Sequence, residues 1–399
     1  MPPDNANPNP QVPPALRHRS LNRRLQFNTS PGSTPPPDVP SKKRKREMPA
    51  FWYRLSRKMK ILSTGALILI LTAASVAVYT NFINNSRGSA QTKKSAAKPD
   101  NRVASPLSGV MVDPALAKRP VTGIMIENSL DARPQSGIGD AGVIFEAIAE
   151  GGITRFMTLY QDKTPQYIGP VRSLRPYYID WATAFDASIV HIGGSPDALA
   201  QIRSSGKDLD QFFNSGSFWR ESSRPAPHDV YTSFEKLDAL NKSKGYTSST
   251  FTSWLRKSDQ KLATPSAKSI DMAISSAPFN VHYDYDGGSN SYLRSEGGAA
   301  HVATSSASGQ DGVQLAPKVV IGMVVPYSIV DGSGHSGYGV SGSGVVYIFQ
   351  DGGATVGTWS KASRASQIVF KDSANQEVKL NAGQTWVTAL QDGQLHYSP

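Results

Sequence analysis

Two arginines stand just before a proline in IGPVRSLRPYYID, residues 168–180. Arg172 and Arg175 precede Pro176, a residue suited to the first position of a helix. Because a helix N-terminus is electropositive and guanidinium forks match carboxylate or phosphate, the pattern is typical of an anion site. The same residues could instead neutralise neighbouring acids of the protein, and the sequence leaves both interpretations open.

A second candidate is AGVIFEAIAE, residues 141–150, which is apolar on nearly all sides and predicts a buried helix. Glu146 and Glu150 would lie four residues apart on one stripe, near the negative end of that helix. Carboxylates at that spacing repel each other, and Glu150 would also meet the negative helix end, so both features require cations close by. The pair could serve acid/base catalysis, or it could belong to a buried Arg–Glu network. The nearest cations in sequence are Arg155, Arg172 and Arg175.

The segment HIGGSPD, residues 191–197, combines a histidine and a serine where a strand gives way to a helix. Ser195 fits the N-cap position with Pro196 in the first turn. A nucleophilic serine assisted by His191 is the alternative. The G-x-S-x-G elbow is absent, because Asp197 stands where its second glycine would be. The pattern therefore favours a cap.

The loop FWRESSRPAPH, residues 218–228, carries Trp219 and two arginines, residue types that often anchor ligands. It could be a ligand-contacting loop, or Trp219 could pack in a seam between domains. The candidate ligand-binding residues are therefore Arg133, Arg155, Arg172, Arg175, His191, Ser195, Arg220 and Arg224. The candidate catalytic residues are Glu146, Glu150 and His228.

The sequence argues against several other kinds of site. Its seven histidines show no metal-binding spacing, and no phosphate-binding P-loop is present, so we predict neither metal nor cofactor. With no cysteine, the chain has no disulfide, thiolate metal site or cysteine nucleophile.

Charge is concentrated at the start of the chain, which has 399 residues and a net charge of +11. Residues 1–60 hold thirteen Lys and Arg against three Asp and Glu, whereas the rest holds 29 against 28. A near-neutral folded part argues against nucleic acid as a partner. We expect residues 1–60 to be a disordered basic tail, because few apolar side chains offset the entropy of ordering.

Residues 61–83 form an uncharged apolar run, ILSTGALILILTAASVAVYTNFI. As a helix, 23 residues reach roughly 35 Å, enough to cross a bilayer core. Cations before the run predict a cytoplasmic tail, a single-pass cell-membrane helix and an extracytoplasmic folded part. A cleaved signal peptide is the alternative, but its apolar region is usually shorter.

Beyond the apolar run, residues 84–105 read as a flexible linker. Residues 106–260 alternate strand-like and helix-like runs and predict an α/β mixed-sheet domain. Residues 261–399 predict a smaller antiparallel all-β domain, because short apolar runs are separated by Gly-, Asp- and Asn-rich turns. The expected fold class is α+β. The predicted helices are AGVIFEAIAE, PYYIDWATAF, PDALAQIRSS and FEKLDALNKS.

Several long motifs resemble one family. GIMIENSLDARPQSGIGDAGVIFEAIAEGGITRFMTLYQ, IGPVRSLRPYYID, HIGGSP and FWRESSRPAPH, with YDYDGGSNSYLR, GTWSK and GQTW further on, are similar to the YerB-like family of bacterial envelope proteins. The resemblance spans nearly all of the chain after Pro106. It implies an extracytoplasmic two-domain protein, and it implies no established reaction. The family is typically lipid-anchored, whereas this chain has an apolar span and a basic tail.

Three functions follow from these patterns. The first is binding of an anionic cell-envelope ligand, such as a wall polymer, a peptide stem or a lipid-carrier phosphate, through arginines. The second is a wall hydrolase or transferase that uses Glu146 or Glu150 as acid/base, with His191 or His228 assisting. The third is a scaffold that docks a protein partner in an envelope assembly.

Overall fold

The computed structural model describes residues 56–88, 100–306 and 309–399. Most of the predicted basic tail, residues 1–55, and part of the predicted linker, residues 89–99, lie outside the described residues. The chain divides into an N-terminal unit that ends at Ala96 and a second unit, Ala97–Pro399.

Within the first unit, helix α1 (Arg57–Gly88) includes the apolar run predicted to span a membrane. Within its stretch Arg57–Asn81, the most apolar 18 residues have a mean hydropathy of 2.3, and the stretch is long and apolar enough to cross a bilayer, by length and composition. The hydroxyls of Thr72 and Ser75 donate to carbonyls one turn earlier, so these polar groups are satisfied within the helix itself.

The second unit is built mainly of strands. Its helices are α2 (Pro114–Ala117), α3 (Pro176–Thr183), α4 (Pro196–Ser205) and α5 (Phe234–Ser243), and its short 3-10 helices are Leu130–Ala132, Ile138–Asp140, Gln211–Phe213, Ser215–Ser217 and Ala277–Phe279. The strands are β1 (Val103–Ala104), β2 (Met111–Val112), β3 (Thr122–Glu127), β4 (Gln135–Ser136), β5 (Val143–Glu150), β6 (Ile153–Tyr160), β7 (Ser188–His191), β8 (Lys207–Asp210), β9 (Trp219–Arg220), β10 (Val230–Tyr231), β11 (Arg256–Lys257), β12 (Ser269–Met272), β13 (Val281–Asp286), β14 (Ser291–Glu296), β15 (Ala299–Ala300), β16 (Val302–Thr304), β17 (Val313–Gln314), β18 (Val319–Val324), β19 (Tyr327–Ile329), β20 (Ser336–Tyr338), β21 (Gly342–Gln350), β22 (Gly353–Lys361), β23 (Val369–Asp372), β24 (Leu380–Asn381), β25 (Thr385–Leu390) and β26 (Leu395–Ser398).

One ten-stranded mixed sheet organises this unit, in the order β23-β22-β21-β18-β25-β5-β6-β3-β7-β8. Strands from both sides of residue 260 meet where β25 pairs in parallel with β5 and with β18. The sheet therefore crosses the predicted boundary, and the division into two domains stays a prediction. A mixed α/β fold rich in strands is confirmed.

The second large sheet has five antiparallel strands, in the order β15-β14-β13-β12-β26. Its strands β12 to β15 follow one another along the chain, as expected for short runs joined by Gly- and Asn-rich turns. Asn290 adopts φ 53°, and Gly297 and Gly298 adopt φ 61° and 82°, in the two tight turns. The predicted antiparallel region after residue 261 thus includes a real antiparallel sheet.

The helix predicted for residues 141–150 is wrong: this segment is strand β5, which pairs with β6 and β25. Its side chains alternate between two cores: Val143, Phe145 and Ala147 pack beneath α3, whereas Ile144 packs on the opposite face. A strand buried on both faces reads as a continuous apolar run, as a buried helix also does. The other three predicted helices are present as α3, α4 and α5.

Candidate functional site

The candidate site lies at the carboxyl ends of three parallel strands, β3, β7 and β8. Ligand clefts in α/β sheets form at such ends, because the loops that leave the strands splay apart there. Here Glu127 ends β3, Gly193 follows β7, and Phe212 lies in the 3-10 helix that follows β8. The loop holding Arg172 runs beside β3, and its backbone N–H donates to Met125 O at 2.9 Å.

Glu127, the last residue of β3, organises a cluster of charges. Its Oε1 lies 3.0 Å from Arg172 Nε and accepts the Ser129 hydroxyl at 2.9 Å. Its Oε2 lies 2.9 Å from His228 Nδ1. His228 Nε2 faces the exposed Asp131 at 4.0 Å. The cluster therefore contains a buried carboxylate that orients an imidazole, an arrangement used in general acid–base catalysis.

The Ser129 hydroxyl does not complete a nucleophilic triad with this pair. It lies 3.4 Å from His228 Nδ1, the ring nitrogen that Glu127 already contacts. A triad needs the serine on one ring nitrogen and the carboxylate on the other. The geometry supports an imidazole that could act as a base through Nε2, and it does not support an activated serine.

A groove of about 380 Å³ lies beside this cluster. Arg172 and Arg220 are its charged lining residues. Arg172 is 24% exposed, and its two Nη atoms form no hydrogen bond within the described residues. Arg220, 56% exposed, donates through Nη1 to Asp229 Oδ1 at 2.7 Å, and its other nitrogens have no such partner among those residues. The remaining lining is Ser173, Ile192, Gly193, Gly194, Leu199, Phe212, Pro227 and Val230.

The predicted pair His191 and Ser195 plays a structural part near this groove. His191 is fully buried; its Nδ1 lies 2.8 Å from Gly193 O and its Nε2 lies 2.9 Å from Asp208 Oδ1. Burial raises the pKa of Asp208, but His191, the backbone N–H of Asp210 and Arg203 together outweigh burial and leave that pKa lowered. With both ring nitrogens engaged, His191 braces the loop and has no nitrogen left for a serine.

Ser195 is the N-cap of α4, as predicted, but its hydroxyl makes no capping hydrogen bond. It lines a separate pocket of about 310 Å³ at the start of α3 and α4, together with Arg175. Asp180, Asp197 and Asp331 line the same pocket, so its charge does not favour an anion.

Glu150 holds two of the predicted arginines. Its two carboxylate oxygens pair with Arg155 Nη2 at 2.6 Å and with Arg175 Nη2 at 2.5 Å. Burial raises the pKa of Glu150, but the guanidinium groups of Arg155 and Arg175 together have the larger effect, so the pKa is lowered overall. Arg155 also donates to Ser173 O, and both arginine side chains are almost fully buried. These three residues form the structural network that was one of the two open interpretations.

Glu146 lies on the other face of the sheet from Glu150. It is fully buried, accepts Arg294 Nη2 and Trp386 Nε1, each at 2.9 Å, and does not line a cleft. A β-bulge between Ile148 and Glu150 reverses the alternation of β5, so the two glutamates do not form a pair. Arg294 stacks on the Trp386 ring with Cζ 4.1 Å from its centroid.

The arginines predicted to bind ligand are thus divided among several places. Only Arg172 and Arg220 share the groove, whereas Arg224 donates to the carbonyls of Asp131 and Pro134. Arg133 lines a third pocket, of about 330 Å³, with Glu296 and His301. Trp219 contacts the rings of Tyr167 and Tyr231.

Sequence reasoning missed Glu127, Arg294 and Glu296. Glu127 carried a usable signal, because an acid at the carboxyl end of a strand lies where clefts form in α/β sheets. Arg294 lies 148 residues from its partner Glu146, and no local pattern reveals such a pair. No group of three or more His, Cys, Asp or Glu residues able to hold a metal occurs in the part of the chain that the structure describes.

Comparisons with known proteins agree with this architecture. Residues 107–247 match the profile described as the N-terminal domain of a protein of unknown function (DUF3048), and residues 270–387 match its C-terminal domain. The Bacillus subtilis (strain 168) protein named "Putative lipoprotein YerB" is 29% identical over 311 residues, which are 76% of this chain and 91% of the relative. A crystal structure of YerB protein from Bacillus subtilis matches with a TM-score of 0.66 at 27% identity, covering 75% of this chain and 100% of that one. The chain belongs to the YerB-like family, whose function is unknown.

Proposed function

We propose that this protein is anchored in the cell membrane by α1 and binds an anionic cell-envelope ligand in the groove of Arg172 and Arg220. The observation that carries the proposal is the pair of guanidinium groups with uncommitted N–H donors, facing one groove at the carboxyl ends of parallel strands. Arginine donates to carboxylates and phosphates in paired, charge-assisted hydrogen bonds.

The rest of the groove suits a ligand with an apolar or sugar portion beside its charge. Ile192, Leu199 and Phe212 offer apolar surface, while Gly193 and Gly194 allow close approach to the backbone. Phosphate-bearing wall polymers, peptide stems and lipid-carrier phosphates all combine an anion with such a portion. The YerB relative is named a lipoprotein, which supports a location at the envelope.

Binding is tested with full-length protein in detergent micelles, using a glycerol-phosphate oligomer, a peptidoglycan fragment and a polyprenyl phosphate as probes. Arg172→Gln and Arg220→Gln should each weaken binding of the recognised probe by about ten- to a hundredfold, because a charged hydrogen bond contributes about 1.5–3 kcal/mol. Arg102→Gln is the matched control, since Arg102 is an exposed, ion-paired arginine that does not line the groove. If no probe binds, or if all three variants bind alike, the groove is not an anion site.

Topology is tested separately with single cysteines, since the natural chain has none. We propose that the tail before α1 is cytoplasmic and that the second unit lies outside, from the cations that precede the apolar span. A membrane-impermeant maleimide applied to intact cells should label Ser204→Cys and should leave Ser30→Cys unlabelled until the cells are permeabilised. The opposite labelling pattern would reverse the orientation.

An enzymatic function is the second candidate, and the geometry moves it from Glu146 and Glu150 to Glu127 and His228. Glu127 orients His228 at 2.9 Å at the edge of the groove, whereas Glu146 is sealed in the interior. His228→Gln should abolish turnover of a wall polymer while leaving its binding intact. Binding without turnover in the wild type favours a receptor. Capture of a defined envelope protein that is insensitive to groove variants favours a scaffold.

A further inference from the structure

We propose that the pocket between Arg133 and the β14–β15 hairpin is a second ligand site, which binds the carboxylate of a small ligand with Arg133 as its charged anchor. This pocket of about 330 Å³ shares no lining residue with the Arg172–Arg220 groove, so the inference does not depend on the proposed function. Its lining is Arg133, Pro134, Glu296, Ala299, Ala300, His301 and Val302.

Arg133 is held in position and keeps one donor free. Its Nε donates to Asn128 Oδ1 at 3.1 Å, and its Nη2 donates to Asn128 O at 3.2 Å. Nη2 also lies 3.1 Å from Glu296 Oε1, and the guanidinium covers the Phe279 ring. Nη1 forms no hydrogen bond within the described residues, and the side chain remains 18% exposed. A preorganised guanidinium with a free N–H is suited to one oxygen of a carboxylate.

Glu296 is almost completely buried at the wall of this pocket, and its Oε2 has no hydrogen-bond partner within the described residues. Oε2 lies 3.4 Å from His301 Nδ1. That nitrogen already accepts Arg294 Nε at 2.8 Å, while His301 Nε2 donates to Gln135 Oε1 at 2.9 Å. His301 is therefore neutral, and an ionised Glu296 would place lone pairs of two acceptors against each other.

A proton on Glu296 removes this conflict, and the surrounding charges favour it. Burial, with Glu146 adding to it and Arg294 and Arg133 opposing it, raises the pKa of Glu296 to about 7. Burial and then the two guanidinium groups lower the pKa of His301 well below its usual value. The charged and titratable groups that face Glu296 are Arg133, Glu146, Arg294 and His301.

Protonation leaves this cluster with an uncompensated positive charge. Arg294 is paired with Glu146, so Arg133 loses its balancing carboxylate when Glu296 becomes neutral. Of the two guanidinium groups, Arg133 is the one that lines the pocket. Binding of the ligand carboxylate should therefore be coupled to protonation of Glu296, because the ligand supplies the negative charge that Glu296 loses.

The remaining walls limit the size of the ligand. Ala299, Ala300 and Val302 offer small apolar surfaces, and β15 is the edge strand of its sheet. Because His301 N donates to Arg294 O, the neighbouring pair Ser295–Ala300 is not hydrogen-bonded, and the Ala300 N–H points away from β14. Arg133 Nη1 and this N–H together suit a carboxylate on a small residue, such as the C-terminal carboxylate of a peptide.

The test uses full-length protein in detergent micelles with N-acetylalanine as probe and its neutral amide, N-acetylalaninamide, as control. The carboxyl of N-acetylalanine is ionised throughout pH 6–8. With linkage to a group of pKa about 7, its affinity should be about tenfold higher at pH 6 than at pH 8. Glu296→Gln mimics the protonated acid and should retain the pH 6 affinity at pH 8. Arg133→Gln should abolish binding, and Arg133→Lys should retain part of it.

Each alternative outcome overturns the proposal. Equal binding of the acid and the amide would remove the carboxylate from recognition, and binding that survives in a folded Arg133→Gln variant would remove the anchor. A pH dependence that persists in Glu296→Gln would assign the proton elsewhere. Arg220→Gln, which alters the groove without touching Glu127, should leave N-acetylalanine binding unchanged, so failure of this site and failure of the groove are distinguishable.

Discussion

Glu146→Gln should destabilise the second unit strongly, although it changes only one atom of the side chain. Glu146 and Arg294 are both fully buried, and their carboxylate–guanidinium contact is 2.9 Å. The substitution removes the negative charge and leaves a buried guanidinium without its counterion. The amide keeps only one oxygen, so it can accept from only one of the two donors, Arg294 Nη2 or Trp386 Nε1, and it sets its NH₂ group against the other.

The expected loss follows from the pair's burial. Removing one member of a buried ion pair costs about 3–5 kcal/mol, because the other charge remains desolvated. For the 300 residues from Asp100 onwards, an unfolding entropy of about 2.1 cal/mol/K per residue gives about 0.6 kcal/mol/K. The melting temperature should therefore fall by roughly 5–8 °C, measured by circular dichroism or calorimetry on matched preparations.

Two comparisons make this prediction sharp. Asp140→Asn breaks the exposed pair with Lys163 and should shift the melting temperature by no more than about 1 °C. A cycle with Arg294→Met should show a coupling energy of about 2 kcal/mol or more between Glu146 and Arg294. A melting temperature within 1–2 °C of wild type for Glu146→Gln would refute the view that this carboxylate holds the two sheets together.

Two further predictions concern the strand half of the fold. Gly357→Ala should prevent normal folding or lower stability severely, because its new Cβ would lie 1.9 Å from Lys371 O, whereas Gly216→Ala meets no atom within 4 Å and should be tolerated. Lys257, with two asparagines, overcomes the effect of burial and lowers the pKa of Asp351 to about 2. Because this pKa is depressed in the folded state, the stabilisation is complete above the ordinary pKa near 4 and is lost as pH falls towards 2; Asp351→Asn should flatten that part of an acid-unfolding profile.

Local sequence patterns predicted many of the strands and helices. Turns rich in Gly, Asp and Asn marked the strands after residue 270, and Asn290, Asp351 and Asn375 adopt positive φ there. The segments 176–185, 196–205 and 234–243 were recognised as helices because each begins with a capping residue or a proline and has an apolar face.

The failure at β5 has a definite physical cause. A central strand that packs on both faces shows no polar–apolar alternation, so period alone cannot separate it from a buried helix. Gly151 and Gly152, with φ 58° and 78°, form the hairpin turn between β5 and β6, at the place where the predicted helix 141–150 would have ended. The bulge before Glu150 also sends the two glutamates to opposite faces, which no residue pattern in this segment predicted.

Long-range pairing was beyond local sequence reasoning for a different reason. The parallel contact of β5 with β25 joins residues about 240 positions apart, and the partner Arg294 of Glu146 also comes from the second half of the chain. Local propensity carries no information on such contacts, because strand pairing depends on which apolar faces are left to cover. The candidate arginines were thus identified as residues, while their distribution among the groove, the Glu150 network, the Arg133 pocket and the carbonyls that Arg224 contacts was not.

The two proposed sites meet at consecutive residues at the end of β3, and this adjacency leads to a last prediction. Glu127 holds Arg172 and His228 at the groove, whereas Asn128 donates to Glu296 Oε1 and accepts Arg133 Nε at the pocket. Gln135 Nε2 bridges them by donating to Glu127 O at 3.1 Å and to Asn128 Oδ1 at 2.8 Å.

An anion that draws Arg172 away from Glu127 therefore shifts the same backbone that positions Arg133. Both ligands are anions that bind neighbouring arginines. Each should therefore weaken the binding affinity of the other by the same factor, on the order of fivefold. The affinity of the groove ligand, measured with and without saturating N-acetylalanine at pH 6, checks this. Gln135→Ala, which removes the bridging amide, should reduce the factor, and unchanged affinities in the wild type would show that the two sites act independently.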